Sequence, residues 1–212
     1  EMCGNGTRVF AAFLRREGLE SADEFAIATR AGVKHVRVDG DGFAVGLGPW
    51  RLGDPATAQR DGFDALVHLD DLEPFSALTV DVGNPHTVVA LPEAVDLDAV
   101  DLTTAPAVRP EPVHGTNVEI VRPLGPGHVA MRVFERGVGE TRSCGTGACA
   151  AAIATSFWAG SLDTGSTWVV DVPGGRLTVR LLPDQGVELA GPAALVADGV
   201  IDLAQLSRRA QP

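Results

Sequence analysis

The tightest constraint on this chain is a short pattern that occurs twice: Cys-Gly-X-Gly leading into an apolar run. It stands at Cys3 in "CGNGTRVFAAFL" and returns at Cys144 in "CGTGACAAAIATSFWAG". From each cysteine to a closing glycine, Gly18 or Gly160, is 15 positions in the first case and 16 in the second. A glycine just past the last turn is the common way for a helix to stop, so the spacing predicts a helix after each cysteine. Arg15 and Arg16 in the last turn of the first helix suit the negative end of its dipole. Neither run carries a continuous polar face, and both helices are expected to be buried on nearly all sides. The pair reads as a diverged internal repeat, one central helix per half.

Around the two helices the pattern is extended. "EFAIAT", "VKHVRV", "GFAVGL", "LTVDVG", "TVVAL", "TNVEIV", "HVAMRVF", "TWVVDV" and "RLTVRLL" are short valine-rich runs bounded by Gly, Pro and Asp, the signature of strands. The Pro-rich stretch over 103–115 reads as a surface loop. Many strands with one apolar helix per half predict an α+β fold of two pseudo-symmetric units, each a curved mixed β-sheet wrapped around a central apolar helix. The first unit is expected over 1–48, rejoined by about 192–212, and the second over 49–191. The chain begins at Glu1 without an initiator methionine, so part of the first unit is expected to lie upstream, and residues 1–212 alone are expected to be inactive and poorly soluble.

A thiol at a helix start has a chemical use. The free N–H groups and the dipole favour negative charge there, and a cysteine of ordinary pKa about 8.5 is brought by such a position to roughly 3.5–7.5. The glycines let a ligand approach the backbone closely, and their amides form a cradle for a carboxylate. Two such thiols facing one another suit the inversion of a carbon that carries a hydrogen, an amine and a carboxylate. One thiolate removes the proton from one face and one thiol returns a proton to the other, while the helix starts stabilise charge gathering on the carboxylate. Cys149, inside the apolar run, reads as an inert packing thiol.

The remaining composition excludes other chemistries. A net charge of −11 with Lys34 as the sole lysine disfavours nucleic-acid and anionic-membrane partners. No apolar run approaches the ~18 residues of a membrane span. Three cysteines in 212 residues argue against a disulfide framework and fit a reducing cytoplasm. The five histidines never fall at ligand spacing, so no metal is expected, and Lys34 shows no sign of a Schiff-base role, so no pyridoxal cofactor is expected either.

"MCGNGTR", "VGNPH", "TNVEI", "ERGVGET" and "SCGTGACAAA", in this order and across essentially the whole chain, resemble diaminopimelate epimerase. The resemblance implies a homodimeric, metal- and pyridoxal-independent isomerase that interconverts LL- and meso-diaminopimelate for lysine and peptidoglycan synthesis. Carried over motif by motif, it implies Cys3 and Cys144 as the acid/base pair. Gly4 with Asn5, and Gly145 with Thr146, would supply amides around the reacting carboxylate. Asn84 and Asn117 would bind the distal end of the substrate, and Glu135 and Arg136 its distal amine and carboxylate. His86 and Glu135 would tune the thiols. Taken singly, Asn84–Pro85 is a turn signal, Asn117 a strand start, Glu135–Arg136 a solvated pair and His86 a structural histidine; only together do they favour the functional reading. Three alternatives remain in view. A proline racemase or hydroxyproline epimerase shares the two-cysteine logic, but typically has histidine where Asn5 stands. A non-catalytic binding protein on the same scaffold has no need of both thiols, and a thiol–disulfide redox protein lacks its CxxC.

Overall fold

A computed structural model describes residues 3–69, 72–162 and 165–200. Helix α1 (Gly4–Arg16) leads into an antiparallel meander, β1 (Glu24–Thr29), β2 (Gly32–Asp39) and β3 (Gly42–Pro49). A short strand β4 (Arg51–Leu52) and helix α2 (Pro55–Asp61) follow, then β5 (Ala65–His68), β6 (Phe75–Asp81), β7 (Pro85–Ala90), β8 (Ala107–Arg109), β9 (Asn117–Gly125), β10 (His128–Glu135) and β11 (Gly139–Thr141). Helix α3 (Gly145–Trp158) then opens a second meander, β12 (Thr167–Val172), β13 (Gly175–Leu181) and β14 (Gly186–Pro192).

Among the described residues these strands form one continuous mixed sheet in the order β1-β2-β3-β14-β13-β12-β10-β9-β7-β6-β5-β8, with β11 added to β10 and β4 to β6. The pairs β10–β12 and β7–β9 are parallel. The two meanders meet back to back through the antiparallel pair β3–β14, with Val45 opposite Leu189 and Ala44 opposite Ala190. Read outward from that seam, β3-β2-β1 on one side mirrors β14-β13-β12 on the other, and each meander is preceded by its own helix. The internal repeat is therefore a helix followed by three strands. The α+β architecture is as expected.

The two helices are built alike at both ends. Each is N-capped by its cysteine in extended backbone, and each ends in a left-handed glycine, Gly18 at φ 69° and Gly160 at φ 65°. Gly18 N–H donates to Arg15 O and Leu19 N–H to Leu14 O; Gly160 and Ser161 repeat this with Phe157 O and Ser156 O. Both ends are thus Schellman motifs.

Burial separates them. Every residue of α3 from Gly145 to Ser156 is buried, because β6, β7, β9, β10, β12, β13 and β14 wrap around it. For α1 the expectation of all-round burial fails. Gly4, Thr7, Arg8 and Ala11 are buried against β3 and β14, whereas Val9, Phe10 and Phe13 are exposed, with the two phenylalanine rings stacked 6.5 Å apart. Two further differences concern strands. The stretch 103–115 is not all loop: Val108 is buried and sits opposite Val67, making β8 an edge strand. The seam strand β14 was not expected at all. At its end Pro192 O accepts from Arg8 Nε, and beyond it Asp198 pairs with Arg16 at 2.7 Å, so both lie against α1; residues 201–212 of the expected return lie outside the described residues. Among the described residues no helix is long and apolar enough to cross a membrane.

Candidate active site

The repeat brings the two helix starts together. A Cβ built on Gly145 would lie 3.6 Å from Gly4 Cα and 3.7 Å from Asn5 N, so the first turns touch backbone to backbone. Both rest on one side chain of the seam. Fully buried Leu189 of β14 places its Cδ2 2.7 Å from where a Cβ on Gly4 would stand, and equally 2.7 Å from one on Gly145. Only glycine fits at either position without moving that leucine. A side-chain tie secures the approach: Arg8 Nη2 donates to Asn5 Oδ1 at 2.8 Å, and Asn5 Nδ2 donates to Ser143 O at 3.2 Å, one residue before Cys144.

The cysteines match in detail. Cys3 Sγ accepts from Gly6 N–H at 3.4 Å, and Cys144 Sγ from Gly147 N–H at 3.4 Å. Their surroundings differ. Cys3 is exposed; Cys144 is buried, with Thr146 Oγ1 3.5 Å from its sulfur. Burial pushes the Cys144 thiol up to about 12, assisted by the charges of Glu119 and Glu135 and only partly opposed by the hydrogen bonds from Thr146 and Gly147. The sequence expectation of a lowered thiol at a helix start is therefore corrected here: desolvation and two nearby carboxylates outweigh what the helix start offers. Cys149, fully buried in α3, is raised still further by desolvation, as befits a packing thiol.

The other expected residues gather where three strands begin or end. Parallel β7 and β9 start side by side, with His86 opposite Asn117, and antiparallel β10 finishes next to them at Glu135. Asn117 bridges all three: Nδ2 donates to Pro85 O at 3.1 Å, and Oδ1 accepts from Arg136 N–H at 3.0 Å. One N–H and one lone pair of that amide remain for a ligand. Arg136 Nη1 donates to His114 O at 2.7 Å, and Glu135 Oε1 accepts from Thr141 Oγ1. Asn84 takes part in a turn, where its carbonyl accepts from Val82 N–H, and its side-chain oxygen lies 3.0 Å from His86 Nε2.

One residue of this network was missed from sequence. Glu119 of β9 lies 2.7 Å from His86 Nδ1, and both side chains are wholly buried. Its carboxylate also abuts α3, since a Cβ on Gly147 would come within 2.6 Å of Oε1. The available signal was position: Glu119 sits in a run of five buried strand residues, Asn117–Val121, where an unpaired carboxylate is costly and a partnered one is purposeful.

A family profile described as diaminopimelate epimerase matches residues 78–196. A diaminopimelate epimerase from Streptomyces coelicolor is 46% identical, the match covering 97% of this chain and 70% of that protein. The chain belongs to the diaminopimelate epimerase family. A second diaminopimelate epimerase, from Thermobifida fusca, is 43% identical over 97% of this chain and 70% of its own length. Among solved structures, a probable proline racemase from Agrobacterium radiobacter superposes with a TM-score of 0.66 at 15% identity, covering 95% of this chain and 68% of that one. At that identity the likeness is one of fold alone. The profile spans the strand ends at Asn84, Asn117 and Glu135, the Cys144 helix and the seam strand.

Proposed function

We infer that the protein is a cofactor-independent isomerase that converts LL-diaminopimelate to meso-diaminopimelate by inverting one α-carbon between two cysteines. The observation that carries the reading is the contact of the two helix starts through Gly4 and Gly145, each start capped by its own cysteine. A small amino acid bound there presents its carboxylate to two sets of free amides, at Gly4 and Asn5 and at Gly145 and Thr146.

The asymmetry of the thiols supports one order for the first half-turnover. Cys3, exposed, takes the base role: its thiolate forms an S–H bond with the α-proton, and the C–H electron pair passes into the carbanion and its carboxylate. Cys144, kept as the thiol by burial, gives its proton to the opposite face and becomes the thiolate. Regeneration needs only proton exchange with water. The reverse reaction uses the same groups with roles exchanged. Arg136 and Glu135 are proposed to hold the distal carboxylate and amine of the substrate, the Arg136 guanidinium by paired charge-assisted hydrogen bonds, with Asn84 and Asn117 completing the distal contacts. Glu135 adds charge that favours the Cys144 thiol, and His86 acts on the same thiol through Glu119. Two units flanking the β3–β14 seam, a homodimeric assembly and a cytoplasmic location belong to the same proposal.

The test is to supply LL-diaminopimelate or L-proline in deuterated water and follow solvent deuterium at the α-carbon. Uptake on diaminopimelate alone supports the reading. Uptake on proline alone would replace it with the proline racemase reading.

A further inference from the structure

The buried pair His86–Glu119 has more behind it than packing. Both ring nitrogens of His86 face acceptor oxygens, Glu119 Oε1 at 2.7 Å and Asn84 Oδ1 at 3.0 Å. The ring thus links Asn84 to the Glu119 carboxylate, one contact on each nitrogen. The pairing is incomplete, however: Glu119 Oε2 is buried and has no hydrogen-bond partner among the described residues. A carboxylate with one satisfied and one unsatisfied oxygen is held against the first turn of α3, at Gly147, the residue whose N–H also caps Cys144.

We propose that Glu119 is a positioning residue for the acid half of the reaction, its charge holding Cys144 as the thiol before each turnover and speeding its reprotonation afterwards. The proposal rests on the two-cysteine reading above and deepens it. Every titratable group credited with acting on Cys144 bears on the result. Glu119 comes from β9 and Glu135 from β10, both favouring the thiol, and Cys149 lies within α3 itself. His86 from β7 contacts Glu119 itself, and Cys3 caps the adjoining helix start. Glu119 is named ahead of Glu135 because it is the larger of the two charge effects and because its side chain is wholly buried, where water screens least.

Substituting Glu119→Gln removes the charge and keeps the shape. The assay is the pH dependence of iodoacetamide alkylation at Cys144, resolved from Cys3 by peptide mass spectrometry on the intact protein, with no substrate present. In Glu119→Gln, Cys144 at pH 8.5 is expected to react about tenfold faster than in the parent, one pKa unit being a factor of ten in thiolate. Cys3 is expected to stay within about twofold on the same scale. Glu119→Asp, which retains the charge, is expected to remain near the parent for both cysteines. An unchanged Cys144 profile in Glu119→Gln overturns the proposal. So does an equal rise at both cysteines, or an equal rise in Glu119→Asp, since either marks loosening rather than charge. Should Glu119→Gln fail to fold, the parent alone decides: a Cys144 profile that levels off below pH 8 overturns the proposal, and one still rising at pH 10 supports it. Because no turnover is measured, failure here and failure of the epimerase reading are seen separately.

Discussion

Replacing Leu189 with alanine removes the side chain on which both helix starts rest, and the consequence can be worked from its surroundings. Leu189 is fully buried, so the loss of its methyls together with the cavity left behind costs about 2–5 kcal/mol. For a chain of this size each kcal/mol lowers Tm by about 2–4 °C. Gly145→Ala acts on the same contact from the other side: its new Cβ would stand 2.7 Å from Leu189 Cδ2, and such overpacking costs about 1–3 kcal/mol. The double variant is the informative one, because the space vacated by Leu189 receives the new methyl. Its cost is expected to fall short of the sum of the singles by about 1–3 kcal/mol. Urea unfolding followed by tryptophan fluorescence supplies all three values by linear extrapolation. Additivity within about 0.5 kcal/mol would refute the claim that one leucine wedges both helix starts.

Other outcomes follow from the same geometry. Arg136→Ala is expected to lower kcat/KM for diaminopimelate by roughly 10–150-fold, the equivalent of losing charge-assisted hydrogen bonds worth about 1.5–3 kcal/mol; unchanged turnover would place the distal carboxylate elsewhere. Mild oxidation is expected to join Cys3 to Cys144 and abolish turnover, with reductant restoring it, and peptide mapping that finds Cys144 bonded only to Cys149 would count against facing thiols. Stability should be level with pH while free thiols are neutral and decline above about pH 8.5. The folded Cys144 thiol is raised to about 12 and Cys149 is raised too, so an unfolded chain releases those protons first and alkali favours unfolding. Chemical denaturation from pH 7 to 10 measures this, and a Cys149→Ala variant whose alkaline decline is no shallower would contradict it.

How much of this was legible in the sequence depended on whether a residue's role is local. The two helices were, because a cysteine cap and a C′ glycine act within a few residues of chain; so were the nine valine-rich strands, all of which lie on the sheet. The seam strand β14 was not. "GVELAGP" carries glycines, a proline and Glu188, and Glu188 is at home only because Arg37 and Arg180 from neighbouring strands pair with it at 2.8 and 2.7 Å. Partners that distant in sequence leave no local mark. The two Cys-Gly-X-Gly motifs were legible as patterns, but the upward shift of the Cys144 thiol was not, since burial and the charge of Glu119 come from the fold. Glu119 itself escaped notice because a charge in a strand ordinarily points to water. The exposed Val9, Phe10 and Phe13 of α1 depart from expectation because an apolar pattern does not say how many strands will pack on a helix, and β3 and β14 meet the face of Gly4, Thr7, Arg8 and Ala11.

The central claim is that Cys3 and Cys144 act on opposite faces of one carbon. It is tested most directly by comparing Cys3→Ala and Cys144→Ala with the parent on LL-diaminopimelate in deuterated water, following both meso product and deuterium at the inverted carbon. The account predicts that the parent yields meso product carrying one solvent deuterium, and that each variant loses about 10²–10⁴-fold in turnover, the worth of a positioned acid or base. Turnover near the parent's rate in either variant, with deuterium still entering the α-carbon, would contradict it.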